Sequence, residues 1–156
     1  MSKTIINHPK DLKEYVGKEY GVSEWFTVKQ EDIQKFAEAT GDHQWIHIDV
    51  EKAKKFSPYK APIAHGFLVL SYLPMLAEMA IEMHGVAMGV NYGLNKVRFT
   101  NATKAGARIR AKFTLKEVID IPGGFRYINN AVIEIEGEEK PACFAEMIAQ
   151  VYVNPE

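Results

Sequence analysis

Two carboxylates and two imidazoles fall within nine residues, Gly41-Asp-His-Gln-Trp-Ile-His-Ile-Asp49, and a further histidine stands at His65, directly before Gly66. An imidazole can take up and release a proton near neutral pH, and a neighbouring carboxylate can fix its tautomer or share that proton. Such a pair is the least equipment needed to move protons to and from carbon or water. Asp42 and His47 are one carboxylate and one imidazole of this segment, five residues apart. Fully extended, the step between them would span ~17 Å, so joint action on one molecule requires the chain to fold back. The same spacing also fits a loop-ordering aspartate and a hydrogen-bonded core histidine, the commoner use of such residues.

Other uses of these side chains are weaker. His43 and His47 stand four apart, as two metal ligands on one helix would, yet Gln44 occupies the place where the zinc-protease pattern His-Glu-x-x-His carries its glutamate. No metal site is expected, and His43 is expected to face solvent. Asp49 suits the N-cap of a following helix better than it suits chemistry. Ser71 and Cys143 lie in apolar stretches without an adjacent base, so neither reads as a nucleophile. Trp45 either caps a pocket or anchors the loop.

The elements that must hold these groups follow from hydrophobic period. Tyr20 to Val28 reads as a first strand, weakened by Gly21. Thr27 and Gln30 have the spacing of a capping box, Glu31 and Asp32 favour a helix start, and Ile33, Phe36, Ala37 and Thr40 fall on one helical face. Gly41 is a helix stop, so the residues after it are expected in a loop, with a short helix at Val50 to Phe56. Beyond the turn chemistry of Ser57-Pro58 and Ala61-Pro62, an apolar run from Phe67 continues to Gly85. It predicts a helix enclosed on all sides and bent at Pro74. The period then becomes two. Ala87 to Phe99 is strand material, Ile109, Ala111, Phe113 and Leu115 share one face, and Arg108, Arg110, Lys112 and Lys116 lie on the other. Turns at Pro122 to Gly124 and Gly137 to Pro141 separate two further strands, the last ending at Val153. The fold class is α+β, one curved antiparallel β-sheet wrapped around a long central helix.

At 156 residues and 47% hydrophobic the chain is expected to form a single domain over residues 1–156. Nineteen Lys and Arg against twenty Asp and Glu leave a formal charge of −1, which excludes a general nucleic-acid footprint. Among Lys96, Arg98, Arg108 and Arg110, one or two are candidates for contact with phosphates. A single cysteine excludes an internal disulfide framework and fits a reducing, cytoplasmic setting. The N-terminus lacks a secretory pattern, and the most apolar stretch is too short to span a membrane.

Three blocks carry a family resemblance: Phe36-Ala-Glu-Ala-Thr-Gly-Asp42 followed by His47-Ile-Asp49, Pro62-Ile-Ala-His-Gly-Phe-Leu68 leading into the apolar helix, and Gly93-Leu-Asn-Lys-Val-Arg-Phe99. In order and spacing they resemble the MaoC-like (R)-specific enoyl-CoA hydratases, whose single domain has the hot-dog fold. One departure is that many family members carry Asn-Pro between the Asp and the His, where this chain has Gln44-Trp45-Ile46. The resemblance implies a hydro-lyase of fatty-acid metabolism that adds water reversibly to a trans-2-enoyl-CoA, giving the (R)-3-hydroxyacyl-CoA. Asp42 and His47 are the implied catalytic pair, and the turn at Ile63, His65 and Gly66 is the implied holder of the thioester carbonyl. Coenzyme A enters as part of the substrate, with no metal and no redox cofactor, and the chain is expected to pair as a homodimer. The last strand, apolar on both faces, is compatible with that pairing. Asn91 and Asn95 either reach the ligand or bond to neighbouring backbone. An acyl-CoA thioesterase of the same fold and a non-catalytic acyl-CoA-binding module are the competing readings.

Overall fold

The computed structural model describes residues 2–155. In chain order the elements are β1 (Thr4–Ile6), a 3-10 turn (Pro9–Tyr15), β2 (Glu19–Val22), β3 (Phe26–Thr27), α1 (Gln30–Thr40), α2 (Trp45–Ile48), α3 (Val50–Phe56), α4 (Gly66–Ser71), α5 (Leu73–Ala80), β4 (Ile81–Met83), β5 (Val86–Phe99), β6 (Arg108–Ile121), β7 (Gly124–Ile135) and β8 (Cys143–Val153). The main sheet runs β2-β6-β7-β8-β5, antiparallel throughout, and β3 pairs with the start of β6.

Alternation along β6 decides which face of the sheet is covered. Ile109, Ala111, Phe113 and Leu115 are fully buried and share the core with Leu68, Val69, Leu73 and Leu76 of α4 and α5. Burying each such Leu, Ile or Phe side chain stabilises the fold by about 1.5–3 kcal/mol. The opposite face carries cross-strand ion pairs. Arg110 bonds to Glu134 at 2.7 Å and Arg108 to Glu136, and both guanidiniums lie over the Trp25 ring. Both arginines thus have carboxylate partners on this face of the sheet.

Several elements depart from the sequence reading, each for a non-local reason. The first strand is split because Ser23 turns inward, where its hydroxyl accepts from the Ala111 amide while its own amide donates to the Ala111 carbonyl, both at 2.9 Å. The enclosed helix is interrupted at Tyr72, two residues before Pro74, which sits in the first turn of α5 where its missing N–H costs nothing. The helix also ends at Ala80 rather than Gly85. Ile81–Met83 are extended because β1 offers a parallel partner, with Thr4 opposite Ile81 and Ile6 opposite Met83. Finally, β8 lies between β7 and β5 inside the sheet, so its two apolar faces reflect a central strand, and the sheet's edges are β2 at one end and β5 at the other. No helix among the described residues is long and apolar enough to cross a membrane.

Candidate active site

Gly41 ends α1 in the left-handed conformation (φ 84°), its amide donating to the Ala37 carbonyl at 2.8 Å. The chain reverses there, and the Asp42 carboxylate accepts from the Gln44 amide at 3.3 Å, a local turn that leads into the single helical turn α2. His47 therefore stands on a short helix instead of in the expected loop. Two glutamines of α1 hold that turn. Gln30 and Gln34, four apart and so on one face, donate to the carbonyls of His47 and Ile48 at 2.8 and 2.9 Å. The expected capping box is absent, since Thr27 lies in β3 and the N-cap is Lys29 without a side-chain bond. Asp49 does cap α3, accepting from the Lys52 amide at 3.0 Å.

From the other side the segment before α4 grips the same turn. The Ile63 amide donates to the Ile46 carbonyl at 3.0 Å, and the His47 ring meets the Ile63 carbonyl at 2.7 Å through Nδ1. A carbonyl only accepts, so Nδ1 carries the hydrogen and the neutral ring keeps its lone pair on Nε2. His65 is fixed in the opposite tautomer, its Nε2–H donating to the Asp42 carbonyl at 3.1 Å. The two imidazoles stack with centroids 3.9 Å apart and planes inclined by 24°, and Phe36 covers the His65 ring at 4.8 Å. One carboxylate oxygen of Asp42 and one ring nitrogen each of His47 and His65 lie within 4.8 Å of one another.

Both histidines are buried and Asp42 is exposed. Burial pushes the His47 pKa below the ordinary imidazole value, with His65 acting in the same direction. The bond to Ile63 and the charge of Asp42 oppose this without reversing it. At neutral pH His47 is therefore an unprotonated base with one free nitrogen. Asp42, His47 and His65 stand at a separation that one metal ion could bridge, while His47 Nδ1 and His65 Nε2 are already engaged with carbonyls.

Beside His47 opens a cavity of ≈ 370 Å³, walled by Tyr59, Ile63, Gly66, Val69 and Phe99 among others. Gly66 and Phe67 begin α4, so their amides have no intrahelical carbonyl to reach. A Cβ on Gly66 would lie 2.8 Å from the Phe99 ring, so glycine is what lets the ring close on this helix start.

The structure thus brings His47, Ile63 and Gly66 together around one space, with the Asp42 carboxylate close to the histidines rather than on the cavity wall. His65 touches the group from behind and is not part of the cavity wall. Asn91 and Asn95 are not brought to it. Asn91 lines two other cavities, ≈ 450 and ≈ 400 Å³, along α4, α5 and β5, and Asn95 bonds to Glu146. Trp45 packs under Lys52 of α3, 4.8 Å from its ammonium, and anchors the loop. His43 is exposed, Ser71 donates to the Phe67 carbonyl, and burial raises the Cys143 thiol to about 11, far from a reactive thiolate. Read from sequence, Gln30 has only a capping role, and Gln34, Tyr59 and Phe99 have no role at the site. Only the four-residue spacing of the two glutamines could have flagged a shared face.

A curved antiparallel sheet around a two-part helix, with an Asp/His cluster at the helix start, defines the class: a hot-dog hydro-lyase. The chain matches the model described as MaoC like domain over residues 11–134, and it belongs to that dehydratase family. It is 44% identical over 141 residues to the 3-hydroxyacyl-thioester dehydratase Z of Mycobacterium tuberculosis, covering 90% of this chain and 93% of that one. Among solved structures it is similar to the monoamine oxidase regulatory protein of Archaeoglobus fulgius, with a TM-score of 0.76 at 24% identity over 99% of this chain and 100% of the other. It is also similar to an unliganded (R)-hydratase from Pseudomonas aeruginosa, with a TM-score of 0.71 at 21% identity, covering 89% and 83%.

Proposed function

We propose that this enzyme reversibly adds water to a trans-2-enoyl-CoA, giving the (R)-3-hydroxyacyl-CoA, with Asp42 and His47 as the reacting pair. The observation that carries the reading is the approach of the Asp42 carboxylate to a buried histidine whose Nδ1 is tied to a carbonyl, beside a cavity that opens at a helix start. Water gives its oxygen to the β-carbon and a proton to the pair, and the α-carbon receives a proton in return. The balance needs no oxidant or reductant. The enolate-like oxygen formed on the way would be met by the free amides at the start of α4, a type of contact worth ~3 kcal/mol of barrier. The (R) outcome rests on family resemblance.

Incubation with crotonyl-CoA tests this. Enoyl absorbance should fall without release of free thiol, and the product should serve an (R)-specific but not an (S)-specific 3-hydroxyacyl-CoA dehydrogenase. Asp42→Asn and His47→Gln should each abolish turnover with the melting temperature retained. Thiol release would favour a thioesterase, and ligand binding without turnover in wild type a binding module.

We also propose a homodimer joined along β5. Fourteen residues long, β5 is paired on one side only, and it exposes Met88, Val90, Tyr92 and Leu94. A long apolar edge of this kind is a template for another strand, and a two-fold axis lets β5 pair with itself.

A further inference from the structure

His65 is nearly inaccessible, at 2% exposed, and forms no part of the cavity wall. One face of its ring rests on His47 and Phe36 packs against it from α1. Its Nε2–H holds the Asp42 carbonyl, and its own carbonyl accepts the Leu68 and Val69 amides that start α4. The remaining ring nitrogen, Nδ1, is buried without a partner among the described residues. A group so enclosed offers nothing to a ligand in the cavity, yet it touches the loop that carries Asp42, the ring of His47 and the first turn of the central helix.

We propose that His65 is a positioning residue, clamping the Asp42 backbone through Nε2–H while its ring backs His47, so that carboxylate and base meet over one reactant. This rests on reading Asp42 and His47 as the reacting pair. Its two contacts are separable by substitution. His65→Gln keeps an N–H that can reach the Asp42 carbonyl but removes the stacked ring, and His65→Phe keeps a ring against His47 but removes the donor.

The titratable groups that act on His47 are His65, at the N-cap of α4, and Asp42, from the loop after α1. In His65→Gln the His47 titration, followed through its imidazole NMR signals, should move to higher pH, because burial and the neighbouring imidazole both lessen. With crotonyl-CoA, both variants should lose kcat by on the order of ten- to a hundred-fold, with KM little changed, as expected when reacting groups are displaced by a fraction of an ångström to an ångström. Long-range ¹H–¹⁵N spectra of the wild type supply a readout that needs no variant to fold: His47 should be the Nδ1–H tautomer and His65 the Nε2–H tautomer. The proposal is overturned by the reverse tautomers, by variants that raise KM alone, or by a His47 midpoint that does not move in His65→Gln. If wild type turns over no enoyl thioester while the tautomers and the shifted midpoint are as stated, the reaction assigned above fails and the clamp stands.

Discussion

Gly66→Ala is the most direct test of how the helix start is built. The added Cβ would lie 2.8, 2.9 and 3.0 Å from three atoms of the Phe99 ring, closer than ordinary carbon–carbon contact. Gly66 is not in the left-handed region, so no backbone strain adds to the clash. Overpacking typically costs 1–3 kcal/mol, and Phe99 is 45% exposed and can swing outward, which places the cost near the lower end, about 1 kcal/mol. For a chain of this size that lowers the melting temperature by about 2–4 °C. The larger effect should be on turnover. Phe99 also walls the cavity beside His47, so a ring displaced by the new methyl changes the space in front of the α4 amides. A loss in kcat/KM for crotonyl-CoA of on the order of 10²-fold is expected. Phe99→Ala removes the partner in the clash, although it also gives up the edge-on contact with Phe67 at 5.8 Å. A double-mutant cycle separates the two: the pair of substitutions should be more stable than the sum of the singles predicts, with a coupling of about 1 kcal/mol measured by denaturant unfolding. A Gly66→Ala protein with wild-type stability and kinetics, or a cycle with no coupling, would refute the argument that Phe99 is what requires a glycine there.

Other outcomes follow from the same geometry. Because burial foremost lowers the His47 pKa, a rate that depends on unprotonated His47 should fall on the acid side only below the ordinary imidazole value of about 6.5, visible in the pH profile of kcat/KM. The unfolded chain then binds the proton first, so stability should drop as pH falls from about 6.5 to the folded value and level off below it; His47→Gln should remove that step from denaturant melts across the range. Gln30→Leu deletes the 2.8 Å bond to the His47 carbonyl and should cost about 1 kcal/mol of stability while lowering kcat, whereas unchanged kinetics would mean that α1 does not position His47. Tyr92→Lys or Leu94→Lys on β5 should convert dimer to monomer by light scattering, and a dimer untouched by both would place its interface elsewhere.

What the sequence makes legible is what short-range chemistry decides. Gly41 stops α1 because only a residue free to adopt positive φ closes that turn cheaply, and Asp49 caps α3 because its carboxylate reaches an amide three residues on. The buried face of β6 follows from alternation alone. What stays hidden is decided by a partner far along the chain. Gln30 has the spacing of a cap, yet its amide is drawn to the His47 carbonyl, seventeen residues away, where it holds the site's base. Ile81 continues a helical period, yet β1 draws it into a strand. The same reasoning explains why His65 is easy to misassign. From sequence, a histidine beside a glycine at a helix start looks like a ligand contact, because its neighbours in sequence, Ile63 and Gly66, do face the cavity. Its own side chain points the other way, into contacts with Phe36, the Asp42 carbonyl and His47, and those come from α1, the loop and α2. A site assembled by such crossings can be recognised by its motifs, but the division of labour within it is set by which side of the backbone each residue faces.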